Sequence, residues 1–245
     1  MTPEERLRQA RESPTPYEER YVALVDVLGW SEIVNRSVSD PTAMPPVAEA
    51  AEMISMARDW AERTNAISRD ISVGQGLDLD VRVSHFSDTF VFSLPIGTTA
   101  EVVLMGMVGQ LCINLLERGH YTRGAIVRGL VRHTADVLYG PSIIEAHQLE
   151  SRVAKYPRIL VTPEAEGAFE FGTALRTDFD GLKHLDFLRP YKPSAQQIAW
   201  LESLRDMADR RAAADAGHLD RLAKHWWFRG YVNETLKRAG EETTG

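Results

Sequence analysis

The stretch YVALVDVLGWSEIV, residues 21–34, decides how the rest of the chain is interpreted. An apolar run rich in valine ends in one acidic residue, Asp26, and Gly29 stands between this run and a segment of helical character. Because the run shows little alternation of polar and apolar residues, it predicts a central strand covered on both faces. A glycine at this position also lets backbone amides approach phosphate oxygens.

A second acidic residue, Asp88, stands in a predicted hairpin. Residues 77–95 alternate in polarity around a polar dip at residues 85–88, which predicts two strands joined by a tight turn. If this hairpin lies beside the strand of Asp26, both carboxylates emerge at one edge of the sheet. Two such groups repel each other unless a divalent cation lies between them, as where Mg²⁺ or Mn²⁺ holds a polyphosphate. The alternative for each aspartate is a helix cap or a turn former.

The remaining elements alternate between helices and strands. We predict helices at 47–67, at 100–117 and after Gly140, strands at 122–131 and 157–161, and a hairpin at 175–188 that turns at Asp180 and Gly181. This order predicts a mixed α/β fold with an antiparallel hairpin. We expect an N-terminal helical extension at 1–17, an α/β domain at 18–190, and a C-terminal helical extension at 191–245 with a break at Ala216 and Gly217.

Composition narrows the class of protein. The 245 residues carry a formal charge of -7, which argues against a broad basic surface for a polynucleotide. Cys112 is the only cysteine, so no internal disulfide forms. The N-terminus lacks the apolar core of a secretory signal, and the apolar run 102–116 is shorter than the ~20 residues that cross a bilayer. We therefore expect a cytoplasmic protein without a membrane partner, and a core helix at 102–116.

Three motifs in this order carry a family resemblance. VALVDVLGWSEIV, VSHFSDTFVF and RGAIVRGLVRHTADVLYGPSIIEAHQLESRVAKYPRILV together resemble the class III nucleotidyl cyclase catalytic domain over about residues 18–190. The resemblance implies a ferredoxin-like palm fold, with a mixed sheet flanked by helices. The segment IIEAHQLESRVAKYPRI is more similar to the bacterial pyrimidine cyclases of the Pycsar anti-phage systems, which make cyclic UMP or cyclic CMP, than to adenylate or guanylate cyclases.

The resemblance implies a two-metal site. Asp26 and Asp88 would bind two divalent ions, Mn²⁺ or Mg²⁺, with the backbone carbonyl of Val27 as a further ligand. The β- and γ-phosphates would be cradled by three backbone amides, those of Leu28, Gly29 and Trp30. The family assembles as head-to-tail homodimers with two sites at the interface. Its 3′,5′-cyclic nucleotide would switch on a separate effector protein.

The position that reads the base departs from the purine cyclases. Those enzymes place a lysine or a glutamate four residues before the second metal aspartate, where this chain has Ser84. A shorter side chain fits neither ATP nor GTP well. A serine hydroxyl can serve either uracil or cytosine, so UTP and CTP both remain open as substrates. Near the position where cyclases place a phosphate-binding lysine, this chain has Lys183.

The transition-state residues also depart from the family. An asparagine and an arginine of the family align with Ile144 and Gln148. Since an arginine on the α-phosphate strongly accelerates the reaction, we take Arg152, one turn further along the same helix, as its replacement, ahead of the strand residues Arg123 and Arg128. The sequence hypothesis is a uridylate cyclase in anti-phage defence. Its alternatives are a cytidylate cyclase and a degenerate cyclase domain that binds a nucleotide or a partner without turnover.

Overall fold

The strand that carries Asp26 lies inside a mixed sheet. The structure, a computed structural model, describes residues 17–40, 42, 44–71, 79–97, 100–166, 175–189 and 194–243. Strand β1, Glu18–Val27, pairs antiparallel with β3 on one side and with β4 on the other. All of its residues from Arg20 to Val25 are buried, which confirms the predicted central strand. Of the predicted N-terminal helical extension at 1–17, residues 1–16 lie outside the described residues.

Eight strands and seven helices make up the described part of the chain. The strands are β1 (Glu18–Val27), β2 (Arg82–Phe86), β3 (Thr89–Pro95), β4 (Thr122–His133), β5 (Leu138–Tyr139), β6 (Ile159–Val161), β7 (Leu175–Thr177) and β8 (Lys183–Leu185). The helices are α1 (Trp30–Ser39), α2 (Met44–Ile71), α3 (Ala100–Glu117), α4 (Pro141–Arg152), α5 (Pro163–Glu166), α6 (Ala195–Ala214) and α7 (Leu219–Thr243). The strand order is β2-β3-β1-β4-β6-β8-β7, with β5 paired to β4, and β6 runs parallel to β4.

The two faces of the sheet bury different cores. Alternate residues of β1, such as Ala23 and Val25, pack with residues of α2 and α3 on one face. The residues between them, such as Val22 and Leu24, pack with Ala146 of α4 on the other face. Asp26 follows Leu24 by two positions, so its side chain lies on the α4 face. This alternation decides which groups Asp26 meets.

Helix α3 is the apolar run that the sequence assigned to the core. By length and composition it is the one helix in the described residues that could cross a membrane, with a mean hydropathy of 1.4 over 18 residues. However, 61% of that window is buried inside the protein, and Leu104, Val108 and Leu111 are almost completely buried against the sheet. The prediction of a core helix is confirmed.

The C-terminal helices form a hairpin that packs at one end of the sheet. A capping box begins α6, because the Ser194 side chain accepts from the Gln197 amide and the Gln197 side chain accepts from the Ser194 amide. A short turn at residues 215–218 separates α6 from α7, as predicted. The hairpin buries Leu204 and Phe228 against Tyr121, with Leu28 partly buried beside them. It is therefore packed beside the loop that follows Asp26.

Most element boundaries agree with the sequence, and the differences are local. Helix α3 has the predicted bounds, and the two predicted hairpins are β2–β3 and β7–β8. Helix α2 begins three residues earlier than predicted and ends four residues later. The sequence analysis missed β5 and α5, which have two and four residues. Elements of two and four residues span only about one period of a strand or a helix. A hydrophobic pattern therefore cannot repeat within them, and periodicity does not detect them.

Candidate active site

Asp26 lies at the edge of the sheet where β1 ends. In the strand register it stands between Thr89 of β3 and Arg123 of β4. Its side chain is 16% exposed, and the Thr89 hydroxyl donates to Oδ1 at 3.5 Å. The neighbouring strands thus surround the carboxylate and leave it a narrow opening to solvent.

Asp88 is brought to the same edge by the β2–β3 turn. Ser87 adopts a left-handed conformation with φ of 55°, which reverses the chain before β3. The Val27 amide donates to the Asp88 carbonyl at 3.2 Å, so the turn is attached to the end of β1. The structure therefore places Asp26 and Asp88 next to each other, as the sequence predicted.

A third carboxylate, from α4, belongs to this cluster. Glu150 is buried, and its Oε1 lies 2.6 Å from Nη2 of Arg123. The same guanidinium places Nε 3.2 Å from Oδ2 of Asp26. The sequence analysis missed Glu150. Its signal was present, because Glu150 stands four residues after Ala146 on the apolar face of α4, where a charged residue is unexpected.

The carboxylates outnumber the cation that contacts them. The pKa of Asp26 is raised to about 7, first by burial and then by the negative charges of Glu150 and Asp88, against the lowering effect of Arg123. A carboxyl group with so high a pKa is poorly compensated in its ionised form. Additional positive charge at this edge of the sheet would stabilise the ionised cluster.

The donor set fits a hard divalent cation. Within the described ranges, no group of three or more His, Cys, Asp or Glu side chains is arranged to hold a metal ion by itself. Mg²⁺ is commonly held by one or two carboxylates, with water and substrate phosphates completing its shell. Asp26 and Asp88 supply two carboxylates at one edge, which fits a metal ion that arrives with a polyphosphate.

The turn after Asp26 provides part of the predicted phosphate cradle. Gly29 has a φ of 82°, a conformation that glycine adopts at little cost, and it begins α1. The amide of Leu28 donates to the Tyr121 carbonyl at 2.8 Å, so it does not point at a ligand. In this structure the Leu28 amide therefore does not join the predicted cradle, because its hydrogen bond ties the turn to Tyr121, the residue before β4. The amides of Gly29 and Trp30 remain candidates, since the first amides of a helix have no partner within it.

Ser84, the predicted base contact, belongs to a chain of hydrogen bonds on the same face of the sheet. Its hydroxyl lies 2.9 Å from Nε2 of His133, and Nδ1 of His133 lies 2.8 Å from the Ser93 hydroxyl. Arg20 donates from Nε to that hydroxyl at 3.0 Å. The pKa of His133 is lowered to about 4, first by burial and then by the charges of Arg20 and Arg82. His133 is therefore neutral near pH 7.

Two predicted site residues are not brought to Asp26 within one protomer. Arg152 lies on an exposed face of α4 together with Ile144 and Gln148, one turn apart, while Glu150 faces the sheet. Lys183 stands on β8, three strands away from β1, and forms an ion pair with Glu166. The arginine that contacts Asp26 is Arg123, which the sequence analysis ranked below Arg152. Helical spacing alone did not show which face of α4 meets the sheet.

The comparisons with known proteins agree with the architecture. No family model and no curated protein sequence matches the chain. Among solved structures, the guanylyl cyclase domain of the RhoGC fusion protein from the aquatic fungus Blastocladiella emersonii matches with a TM-score of 0.50 and 12% identity. The match covers 70% of this chain and 96% of that domain.

Two further solved structures have lower scores. A bacterial light-regulated adenylyl cyclase matches with a TM-score of 0.45 and 11% identity, over 93% of this chain and 67% of that one. A class III adenylyl cyclase-like ATP-binding protein from Pseudomonas aeruginosa matches with a TM-score of 0.38 and 13% identity, over 62% of this chain and 35% of that one. The fold predicted from the sequence, a mixed sheet flanked by helices as in class III nucleotidyl cyclases, is confirmed.

Proposed function

We propose that this protein is a nucleotidyl cyclase that uses Mn²⁺ or Mg²⁺. The observation that carries the proposal is the pair of carboxylates, Asp26 and Asp88, at one edge of a cyclase-like sheet, beside the Gly29 turn. The high pKa of Asp26, caused first by burial and then by Glu150 and Asp88, supports a site that is completed by added positive charge.

The residues of this edge have distinct roles in the proposed reaction. Asp26, Asp88 and the Val27 carbonyl hold the metal ions, and the amides of Gly29 and Trp30 contact the phosphates. When bound, the two ions lower the pKa of the ribose 3′-hydroxyl and neutralise charge on the α-phosphate and the leaving group. The 3′-oxygen forms a bond to the α-phosphorus, the bond to the β-phosphate oxygen breaks, and the hydroxyl proton passes to solvent. The products are a 3′,5′-cyclic nucleotide and pyrophosphate.

A head-to-tail homodimer explains why some candidate residues lie away from Asp26. The outer face of α4 carries Arg152 and the exposed apolar residue Ile144, which is 60% exposed. Phe86, beside the Asp88 turn, is 84% exposed. Apolar side chains this exposed suit a protein interface. In the proposed dimer, Arg152, Ser84 and Lys183 of one subunit complete the site that Asp26 begins in the other.

The hydrogen-bond chain that ends at Ser84 favours UTP over CTP. Arg20 can only donate, so the Ser93 oxygen accepts from it. The Ser93 hydroxyl can then donate to Nδ1 of His133, which lies 2.8 Å away, and we assign its hydrogen to this contact. A neutral histidine that accepts at Nδ1 carries its hydrogen on Nε2, so His133 donates to the Ser84 oxygen.

This direction of donation determines what Ser84 offers to a base. Because its oxygen already accepts from His133, the hydroxyl hydrogen of Ser84 is directed at another group. Uracil presents an acceptor, O4, at the position where cytosine presents an amino donor. A donor from Ser84 therefore matches uracil, and we propose that the substrate is UTP and the product cyclic UMP.

Product analysis with each of the four nucleoside triphosphates tests the activity. With Mn²⁺ present, we expect cyclic UMP as the main product and pyrophosphate in equal amount. Ser84→Ala should bring the ratio of kcat/KM for UTP over CTP from roughly tenfold to near one, because a missing hydrogen bond is worth about this factor. Ser203→Ala, an exposed serine of α6, is the matched control. Absence of any cyclic product from a folded dimer would refute the proposal.

The alternative is a degenerate domain that binds a nucleotide without turnover. It is favoured by Ile144 and Gln148, which stand where the family has its transition-state residues. Calorimetric binding of UTP with Mn²⁺, but no cyclic product, would establish this alternative. A preference for CTP in the same assay would instead make the protein a cytidylate cyclase.

By its resemblance to the Pycsar cyclases, we propose that cyclic UMP acts as a second messenger in anti-phage defence. A separate effector protein would respond to it in the cytoplasm. Plaque counts on cells that carry the cyclase and its effector test this role. Asp26→Asn should raise the plaque count to that of cells without the cyclase.

A further inference from the structure

A cavity of about 440 Å³ opens between α1 and the C-terminal hairpin. Its floor includes Leu28 and Gly29, the two residues of the turn that follows the metal-binding end of β1. Its walls come from α1, α6 and α7. Its charged lining residues are Glu32, Arg36, Arg211, Asp215, Arg221 and Lys224. The cavity therefore lies between the end of the cyclase-like sheet and the C-terminal hairpin of α6 and α7.

Positive charge dominates the lining, although the whole chain is acidic. The cavity has four Lys or Arg side chains and two carboxylates. Both carboxylates are engaged, since Glu32 lies 2.7 Å from Arg221 and Asp215 lies 2.9 Å from His225. Arg211 donates to the Gly119 carbonyl and lies over the ring of Tyr121.

Two of the cations have no such partner. In the described parts of the chain, neither Arg36 nor Lys224 forms an ion pair or a side-chain hydrogen bond. They approach the cavity from opposite sides, Arg36 from α1 and Lys224 from α7. Lys224 lines the cavity together with two neighbours on α7. Arg221 stands three residues before it and His225 directly after it.

Lys224 also connects the cavity to the carboxylate cluster. It is half-buried, and its pKa is lowered first by burial and then by the positive charge of Arg123. Lys224 lines the same cavity as Leu28 and Gly29, the turn directly after β1, so it lies at the end of the sheet that carries Asp26. Arg36 and Lys224, two cations of one cavity that form no ion pair with its carboxylates, favour a bound anion.

We propose that this cavity binds the terminal phosphates of the nucleoside triphosphate, with Lys224 and Arg36 as their ligands. The inference rests on the proposed function, which places the α-phosphate beside Asp26. From there the triphosphate passes the amides of Gly29 and Trp30 and ends among the cations of the cavity. The C-terminal hairpin thus becomes part of the substrate site.

Through Lys224, the hairpin would also let the site distinguish nucleotides by their number of phosphates. A nucleoside monophosphate bound at Asp26 would not reach Lys224, whereas a triphosphate would. Pyrophosphate, the leaving group, would remain in the cavity after the cyclic nucleotide forms. It should therefore act as a product inhibitor that competes with the triphosphate.

Binding of inorganic pyrophosphate and tripolyphosphate, each with Mg²⁺, tests the site without turnover. By calorimetry, Lys224→Gln should weaken the binding of both about tenfold, since each lost charge-assisted hydrogen bond contributes roughly that factor. Arg36→Ala should act in the same direction, and because Arg36 is exposed this variant should keep the fold. Lys237→Ala, an exposed lysine of α7 away from the cavity, is the matched control.

Kinetics identify the source of the phosphate. We expect Lys224→Gln to raise the KM for UTP about tenfold and to leave the binding of UMP unchanged. If both variants bind pyrophosphate and UTP as the wild type does, the inference is overturned. If pyrophosphate binding depends on Lys224 but UTP binding does not, the cavity holds free polyphosphate and the assignment to the nucleotide is wrong. If pyrophosphate binding depends on Lys224 and no triphosphate is turned over, the polyphosphate site stands while the cyclase proposal fails.

Discussion

The two ends of one sheet face carry charged clusters of opposite character. At one end, Asp26 and Glu150 share a single guanidinium, that of Arg123, and Asp88 adds a third carboxylate charge. At the other end, two arginines meet two carboxylates: Arg20 and Arg82 pair with Glu18 and Asp80. Both clusters join β1 to its neighbouring strands, but only the second is balanced by the chain itself.

The balanced end shows what a structural role requires. Arg20 is 1% exposed and lies 2.9 Å from both Glu18 and Asp80. Burial alone would raise the pKa of Asp80, yet the hydrogen bonds from Arg82 and Arg20 outweigh burial and lower it. The pKa of Asp26 moves in the opposite direction. Burial of charge is thus common to both ends, whereas uncompensated charge marks the end that we propose to bind metal.

The largest expected effect is the loss of a metal ligand at the unbalanced end. Asp26→Asn should lower kcat about 1,000-fold, because the ions lose a ligand where charge develops on the phosphates. Cyclic nucleotide production at saturating Mn²⁺ measures it. Asp209→Asn, which removes a surface carboxylate paired with Arg229, should leave kcat unchanged. If Asp26→Asn turns over substrate as fast as the wild type, the unbalanced end is not a metal site and does not differ in function from the balanced end.

At the balanced end, the largest expected effect is on stability at low pH. In the folded protein the pKa of His133 is about 4, below the ordinary value of 6.5. Between these two pH values the unfolded chain binds a proton at this histidine and the folded protein does not. Stability should therefore fall as pH drops from about 6.5 towards 4. We expect a loss of about 2 kcal/mol from this group between pH 7 and pH 4.5.

Urea unfolding of wild type and His133→Gln at both pH values measures this contribution. The variant should lose less stability on acidification than the wild type, by about the same 2 kcal/mol. Equal losses in the two proteins would show that His133 is protonated in the folded state. The donation from Ser93 to Nδ1, from which the preference for UTP is inferred, would then be wrong, because a protonated His133 donates from both ring nitrogens.

A smaller effect is expected from the carboxylate that positions Arg123. Glu150→Gln removes the charge that holds one side of the guanidinium, so Arg123 should pair more closely with Asp26 and compete with a cation. We expect about tenfold weaker Mn²⁺ binding, the usual effect of losing a group that orients a metal ligand.

Calorimetric titration with Mn²⁺ measures this change. Glu164→Gln, an exposed glutamate of α5, should bind Mn²⁺ as the wild type does. Tighter Mn²⁺ binding by Glu150→Gln would mean that Glu150 weakens metal binding. The carboxylate cluster would then have a structural role, like the ion pairs at the balanced end.

The smallest effect is expected at the turn beside Asp26. Gly29→Ala meets no atom within 4 Å, but its φ of 82° is unfavourable for alanine. We expect a loss of about 1 kcal/mol in the free energy of unfolding. Gly97→Ala, which also meets no atom and has no left-handed backbone, should cost close to nothing. Equal stabilities for the two variants would show that the turn relaxes and is not a preformed part of the site.

The sequence predicted the parts of the site that are encoded locally. The buried strand, the hairpin and the glycine turn each follow from a short pattern, and together they place Asp26 and Asp88 at one edge. Arg152 illustrates the limit of this reasoning. Helical spacing grouped it correctly with Ile144 and Gln148, but this face of α4 is exposed in the protomer.

The Leu28 amide shows the same limit on a smaller scale. The sequence indicated a glycine turn, and the structure contains one. However, the hydrogen bond from Leu28 to Tyr121 joins residues far apart in the chain, so no local sequence pattern predicts it. The two short elements β5 and α5 were missed because two and four residues span only about one period of a strand or a helix, so no repeat is visible.

By itself, the sequence determined the order of elements, the class of fold and the positions of Asp26 at the end of β1 and Asp88 in the β2–β3 turn, since each follows from short local patterns. Only the tertiary structure decided that Glu150 holds Arg123 against Asp26 and that Lys224 lies in a cavity beside them. These contacts join strands and helices that are distant in sequence. Packing of side chains from different elements fixes such contacts, and the periodicity of a single segment does not contain that information.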